Sequence, residues 1–312
     1  MSSNNTLGIK QLGIPMQPIE ILRQTVVREL HSLQTIKNVW PTWQSHIHSL
    51  IGAKPITSKE LIVIGDNLYN IFKSTSNGRG QSDVSSGGAA WEALVCWYLN
   101  LCLMGSRTVV VKAKKANIPQ CISDSVNVNY GNFTSNTESD LLAITFPDTT
   151  EISSSFTGNH SALMELLTEV VEQNFTDTEL GIIQCKTNWN DNAQIPMLWD
   201  LIYASQGFTS SAKVGTNGFS HKTLKKFTYS FVTVPTVDPS KFKATSTAVM
   251  RVKNLSGGNY WGLPSKTGIA SNLFGIIQNS FHTSHSSYSN GWHKDITTEI
   301  QNMISGGNVF QL

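Results

Sequence analysis

The spacing of apolar residues changes along the chain, and each change predicts an element. Over 17–36, QPIEILRQTVVRELHSLQTI, the residues Ile19, Ile21, Leu22, Val26, Val27 and Leu30 recur at helical spacing and predict an amphipathic helix. SKELIVIGDNLYNIFKS (58–74) predicts a second helix, opened by Ser58 with Glu60 in its first turn. NGRGQSDVSSGG (77–88) has no period and reads as a Gly/Ser loop. AAWEALVCWYLNLCL (89–103) is apolar almost all round, so it predicts a buried helix, with Glu92 its one charge.

Beyond that helix, short apolar runs bounded by turn residues alternate with amphipathic ones. RTVVVKAKK (107–115) reads as a strand with a basic end, and SDLLAITFPD (139–148) as a buried strand. NHSALMELLTEVVEQNF (159–175) is a helix capped by Asn159 or Ser161. ELGIIQCKTNW (179–189) is the next strand, and DNAQIPMLWDLIYAS (191–205) is helical, with Pro196 in its first turn. Strand, helix, strand, helix predicts an α/β unit. In the last third, KKFTYSFVTVPTV and TAVMRVKNL read as strands, and KDITTEIQNMI as a closing helix.

Composition adds a class. The chain has 312 residues, 39% hydrophobic and 14% charged, enough to bury a sizeable core. Its net charge of +2 is unevenly placed. Residues 1–206 carry 13 Lys+Arg against 18 Asp+Glu, and residues 207–312 carry 10 against 3, so −5 and +7 sum to +2. A basic C-terminal third points to an anionic partner, nucleic acid first. The opening MSSNNTLGIKQLG has no apolar core, no stretch approaches a membrane span, and the four cysteines form no CxxC pair. These predict a reduced, cytoplasmic protein with no membrane partner. No GxxxxGK[ST] loop or GxSxG elbow occurs, which leaves nucleotide cofactors and α/β-hydrolase chemistry without support. His46, His48, His282 and His285 lack partners at zinc spacing and read as exposed.

The candidate chemistry lies at the end of the 179–189 strand. Side chains alternate, so Ile182, Gln184 and Lys186 share one face, and Ile183 and Cys185 the other. Asp140 opens the earlier strand and stands beside Gln184 and Lys186 if the two strands are neighbours. Glu92, in an otherwise apolar helix, needs a cation as partner. Mg²⁺ takes oxygen ligands, here the Asp140 carboxylate, the Gln184 amide oxygen and the Cys185 backbone carbonyl. Lys186 is then placed to handle the attacking water. The same residues also have a purely structural reading. Lys186 is then a solvated strand end, Asp140 a cap, and Glu92 the partner of Arg79 or Arg107.

Asp140 followed by Gln184-Cys185-Lys186 on a later strand resembles the PD-(D/E)XK nuclease superfamily, in its type II restriction endonuclease branch. That family opens one strand with an acidic residue and ends the next with an (E/D/Q)-x-K triplet, and a glutamate on an upstream helix often joins them, as Glu92 would. The resemblance covers roughly residues 85–206 and implies a mixed central sheet flanked by helices, an α/β (α+β) fold with a basic strand-and-loop-rich C-terminal part. It divides one nuclease domain into a helical part (1–84), a catalytic core (85–206) and a DNA-contacting part (207–312). Ser139 stands where the family has proline. Pro147-Asp148 is a literal alternative, set aside because Asp148 follows the strand rather than preceding it. Gln184 replaces the usual acidic ligand, and Asp200 is a candidate for the missing carboxylate.

The resemblance implies a Mg²⁺-dependent homodimer that cuts double-stranded DNA at a specific sequence. Arg79 and Gln81 in the loop before the Glu92 helix, and Asn188 and Asn190 after the catalytic strand, are candidate DNA contacts. Lys222, Lys225, Lys226, Arg251 and Lys253 are candidate phosphate contacts. A structure-specific or repair nuclease of the same superfamily, and a non-catalytic DNA-binding protein on this fold, are the alternatives.

Overall fold

The computed structural model describes residues 16–52, 55–75, 84–113, 115–129, 134–135, 139–187, 189, 213–234, 242–262, 275–276 and 291–312. Helices α1 (Pro18–Ser32), α2 (Gln34–Ile51), α3 (Ser58–Asp66), α4 (Leu68–Lys73) and α5 (Val84–Cys102) come first. Strand β1 (Thr108–Lys112), α6 (Gln120–Val126), β2 (Val128–Asn129), β3 (Thr134–Ser135) and β4 (Leu141–Thr145) follow. Then come α7 (Thr150–Ser153), α8 (His160–Gln173), β5 (Glu179–Lys186), β6 (Lys213–Val214) and β7 (Lys226–Thr233). The chain closes with α9 (Thr247–Leu255), β8 (Tyr260–Gly262) and α10 (Gly291–Ser305).

The main sheet is five-stranded and mixed, in the order β1-β4-β5-β7-β8. β1, β4 and β5 pair antiparallel, and β5, β7 and β8 pair parallel. A smaller sheet joins β3, β2 and β6. The architecture is therefore mixed α/β, a mixed sheet flanked by helices. β4 is buried along its whole length and β5 up to Lys186, which is why both read as apolar runs rather than as alternation. Among the described residues no helix is long and apolar enough to cross a membrane.

The N-terminal helices differ from their predicted extents for local reasons. The first helix ends at Ser32, because Leu33 is extended (φ −65°, ψ 133°), and α2 starts at once with Gln34. α2 carries Pro41 in its interior and still buries Ile36, Val39, Trp40, Trp43, Ile47 and Ile51. The helix expected over 58–74 is two, broken at Asn67. Its cap is Thr57, not Ser58: the Thr57 hydroxyl accepts from Lys59 N, and the Glu60 carboxylate accepts from Thr57 N at 2.8 Å. α5 begins at Val84, inside the segment read as a loop.

Two later expectations are corrected. The strand–helix–strand order of β4, α8 and β5 is not a parallel unit, since β4 and β5 are antiparallel. TAVMRVKNL is the helix α9, not a strand. Its β-branched residues Val249 and Val252 lie three apart and both bury, while Met250 and Lys253 are exposed. The segment 191–205 lies outside the described residues. His48 is exposed as expected and His46 half-buried, whereas His282 and His285 are outside the described residues.

One contact in the N-terminal layer makes a stability prediction. Gly65 of α3 faces Tyr98, a fully buried α5 residue whose hydroxyl donates to Leu61 O at 3.0 Å. A Cβ at Gly65 would collide with that hydroxyl. Gly→Ala in a helix ordinarily gains up to about 1 kcal/mol. Gly65→Ala is expected instead to cost about 1–3 kcal/mol through overpacking, read by urea unfolding. A variant as stable as the wild type would mean that Tyr98 yields without loss.

Candidate active site

Strand direction decides which side chains meet. The carboxyl ends of β1, β5, β7 and β8 lie at one end of the main sheet, together with the amino end of β4. Lys112, Asp140, Lys186 and Thr233 therefore gather there. Asp140 stands one residue before Leu141, which pairs with Ile183. Its Oδ2 accepts a hydrogen bond from Cys185 N at 2.8 Å. The side chain thus satisfies an N–H of β5 just beyond the last β4 pair, a group that would otherwise be orphaned. The same oxygen lies 3.2 Å from Lys186 Nζ. The expected neighbourhood of Asp140 and Lys186 is present in the structure.

Glu92 arrives from α5. Glu92, Cys96 and Asn100 form an i, i+4, i+8 stripe, and β1 presents Val110 and Lys112 two residues apart on one face. Asn100 donates from Nδ2 to Val110 O at 2.6 Å and accepts from Val110 N at 3.1 Å. This amide clamps the helix to edge strand β1 and occupies backbone groups an edge would expose. Glu92 Oε2 then pairs with Lys112 Nζ at 3.0 Å. Glu92 does meet a cation, but not Arg107, whose Nη1 donates to Phe146 O. Arg79 lies outside the described residues. Lys112 was not singled out in the sequence, although it is the charged end of TVVVK.

The two ion pairs are largely covered but not sealed. Side-chain exposure is 15% for Asp140, 19% for Lys186, 19% for Lys112 and 23% for Glu92, so solvent and a ligand can reach all four. Gln184, by contrast, is fully buried, with Phe231 of β7 opposite it. Burial pushes the Asp140 carboxyl up to about 6. Lys186 and the Cys185 N–H pull it down, and the Glu92 charge pushes it up. Burial likewise raises the Cys185 thiol, so that side chain is an inert core group and only its backbone carbonyl is of interest.

Among the described residues no group of three His, Cys, Asp or Glu is placed to hold a metal. Asp140 and Glu92 supply two carboxylates, and the other candidate donors are the Gln184 amide oxygen and the Cys185 carbonyl. All are hard oxygens, which suits Mg²⁺. Burial is the main cause of the raised Asp140 pKa, and a divalent cation beside the carboxylate would offset it by favouring the ionised form. The donor types therefore fit. Asp200, the candidate additional carboxylate, lies outside the described residues. Asp148 is exposed beyond the far end of β4, away from Lys186, so Asp140 is the acidic residue at this site.

The candidate DNA contacts divide by position. Arg79, Gln81, Asn188 and Asn190 lie outside the described residues. Lys222 and Lys225 are exposed, but Lys226 pairs in register with Glu179. These three lysines sit at the end of the sheet opposite Lys186, separated by the eight residues of β7, about 25 Å of strand. They do not flank Asp140 and Lys186. Arg251, half-buried, and Lys253, exposed, are on α9, whose Val249 and Val252 pack with Phe231 and Tyr260. No family model matches the chain, and no curated protein or solved structure matches it significantly.

Proposed function

We propose that the protein is a Mg²⁺-dependent endonuclease of the type II restriction kind, hydrolysing phosphodiester bonds at a specific sequence in double-stranded DNA. The observation that carries the reading is the Asp140–Lys186 pair at 3.2 Å, formed between the residue that opens β4 and the residue that ends its hydrogen-bonded neighbour β5. Glu92, from the preceding helix, stands within electrostatic reach of Asp140. That is the constellation expected of a PD-(D/E)XK site in its Gln-x-Lys form. A five-stranded mixed sheet with these residues at one end is consistent with a restriction-endonuclease-like fold.

Asp140, Glu92 and the nearby amide and carbonyl oxygens would hold Mg²⁺, and the ion would supply Lewis acidity toward the phosphodiester. Lys186 orients the attacking water and offsets the charge that grows on the phosphorus oxygens. Lys112 holds Glu92 in place and offsets its charge beside Asp140. A homodimer presenting two such sites cuts both strands of a two-fold symmetric sequence.

Incubation with plasmid DNA and Mg²⁺ tests this. Wild-type protein is expected to give discrete bands, and Lys186→Ala to cleave about 10²–10⁴-fold more slowly while still binding DNA. Binding without cleavage under any divalent metal would leave a non-catalytic DNA-binding protein and remove the nuclease reading. Cleavage directed by branched or damaged DNA instead of sequence would move it to a repair or junction nuclease.

A further inference from the structure

Strand β7 carries two polar groups, Tyr229 at its middle and Thr233 at its end, that have no role so far. Parallel pairing sets Tyr229 opposite Ile182, Phe231 opposite Gln184 and Thr233 opposite Lys186. Partners in register project to the same side, so Tyr229 and Thr233 share the face of Gln184 and Lys186. Antiparallel pairing sets Leu142 opposite Ile182, so Asp140, two residues before Leu142, faces the same way. The Tyr229 hydroxyl is buried and has no hydrogen-bond partner among the described residues, and the same holds for the Thr233 hydroxyl. A buried phenol without a partner costs about 1–3 kcal/mol, a cost that a packing role would avoid with phenylalanine. The neighbouring position on this face, Phe231, has that residue.

We propose that Tyr229 is a further catalytic residue of this site, donating a hydrogen bond from its hydroxyl to a non-bridging oxygen of the bound phosphodiester. The inference rests on the reading of the site as one that takes a phosphodiester. Lys186 and Lys112 share their charge with Asp140 and Glu92 in ion pairs, so a neutral donor on β7 adds a contact to a phosphate oxygen beside that of Lys186. Burial, with the Asp140 charge adding to it, holds the phenol above its usual pKa, so it stays protonated and can donate throughout the neutral range. A preorganised neutral donor of this kind contributes to the rate more than to ground-state binding, because charge on the phosphate oxygens grows toward the transition state.

Tyr229→Phe removes one oxygen and keeps the ring. The variant is expected to melt no lower than the wild type and to bind DNA equally well. With Mg²⁺ its single-turnover cleavage is expected to fall about 10²-fold. A second readout does not depend on cleavage. In protein labelled at tyrosine ¹³Cζ, the resonance assigned to Tyr229 by its loss in Tyr229→Phe should move when dimethyl phosphate and Mg²⁺ are added. Slow cleavage with a moving resonance supports the assignment. Wild-type cleavage rates in Tyr229→Phe, or a resonance that dimethyl phosphate leaves in place, overturn it. If the wild type does not cleave DNA but the resonance moves, the endonuclease reading fails and the phosphate contact of Tyr229 stands.

Discussion

Asp140→Asn is expected to abolish cleavage and, at about pH 8, to make the protein more stable. The two effects have one cause. Burial holds the Asp140 carboxyl at about 6, even with Lys186 and the Cys185 N–H pulling it down. An unfolded chain titrates an aspartate near about 3.9. A raised acid pKa in the folded state means that the native protein binds the proton more tightly. The stability this group contributes is therefore full below about pH 4 and lost as pH rises through about 6. At neutral pH the ionised carboxylate costs the fold on the order of 2–3 kcal/mol, about two pK units at 1.36 kcal/mol each. Asparagine mimics the protonated form and can keep the Cys185 N–H bond, so it recovers much of that cost. The melting temperature should rise by several degrees at about pH 8, and the difference should vanish near about pH 4. A variant less stable than the wild type at neutral pH would make the Asp140–Lys186 pair a structural brace. That would remove the argument that the carboxylate is held ionised for chemistry.

The site was legible in the sequence to the extent that it followed strand alternation. ELGIIQCK ends its apolar run at Lys186 and LLAIT begins after Asp140, so the pair that stands at 3.2 Å was expected provided the two strands were neighbours, as they are. What alternation along one strand cannot give is register between strands. Lys112 and Tyr229 became site candidates only once β1 and β7 were set beside β4 and β5. The same missing register left the place of Lys222, Lys225 and Lys226 open, and the pairing of β7 with β5 sets them at the end of the sheet opposite Lys186. Helix α2 shows a different failure. Its buried residues have helical spacing, yet Pro41 argues against a helix interior, and the burial of six apolar side chains, Trp40 and Trp43 among them, outweighs the lost N–H. Asn100 gave no signal either. A buried amide reads as a defect until Val110 is seen to present both an N–H and a C=O to it.

Arg23→Ala is expected to cost about 3–5 kcal/mol, the largest single loss of stability from a charged residue of α1. Arg23 is fully buried. Its Nη1 donates to Thr108 O at 2.7 Å and its Nη2 to Ser106 O at 2.8 Å. Its Nε meets both oxygens of Glu20, at 3.0 and 3.1 Å, and Glu20 in turn accepts from Gly105 N at 2.9 Å. This planar fork is therefore a clasp between α1 and the turn that starts β1, and lysine could not reproduce it. Alanine would take the guanidinium donors from two carbonyls and the cation from the Glu20 carboxylate. The consequence reaches the site because the same strand ends in Lys112, which holds Glu92. Urea unfolding of Arg23→Ala measures the stability loss, and a shift under about 1 kcal/mol would show that water replaces the clasp. Arg23→Lys should recover only part of the loss, since a single ammonium cannot serve both carbonyls and both carboxylate oxygens at once. Where the variant stays folded, its cleavage rate should fall less than that of Lys186→Ala, because β1 is repositioned while the Asp140–Lys186 pair between β4 and β5 remains.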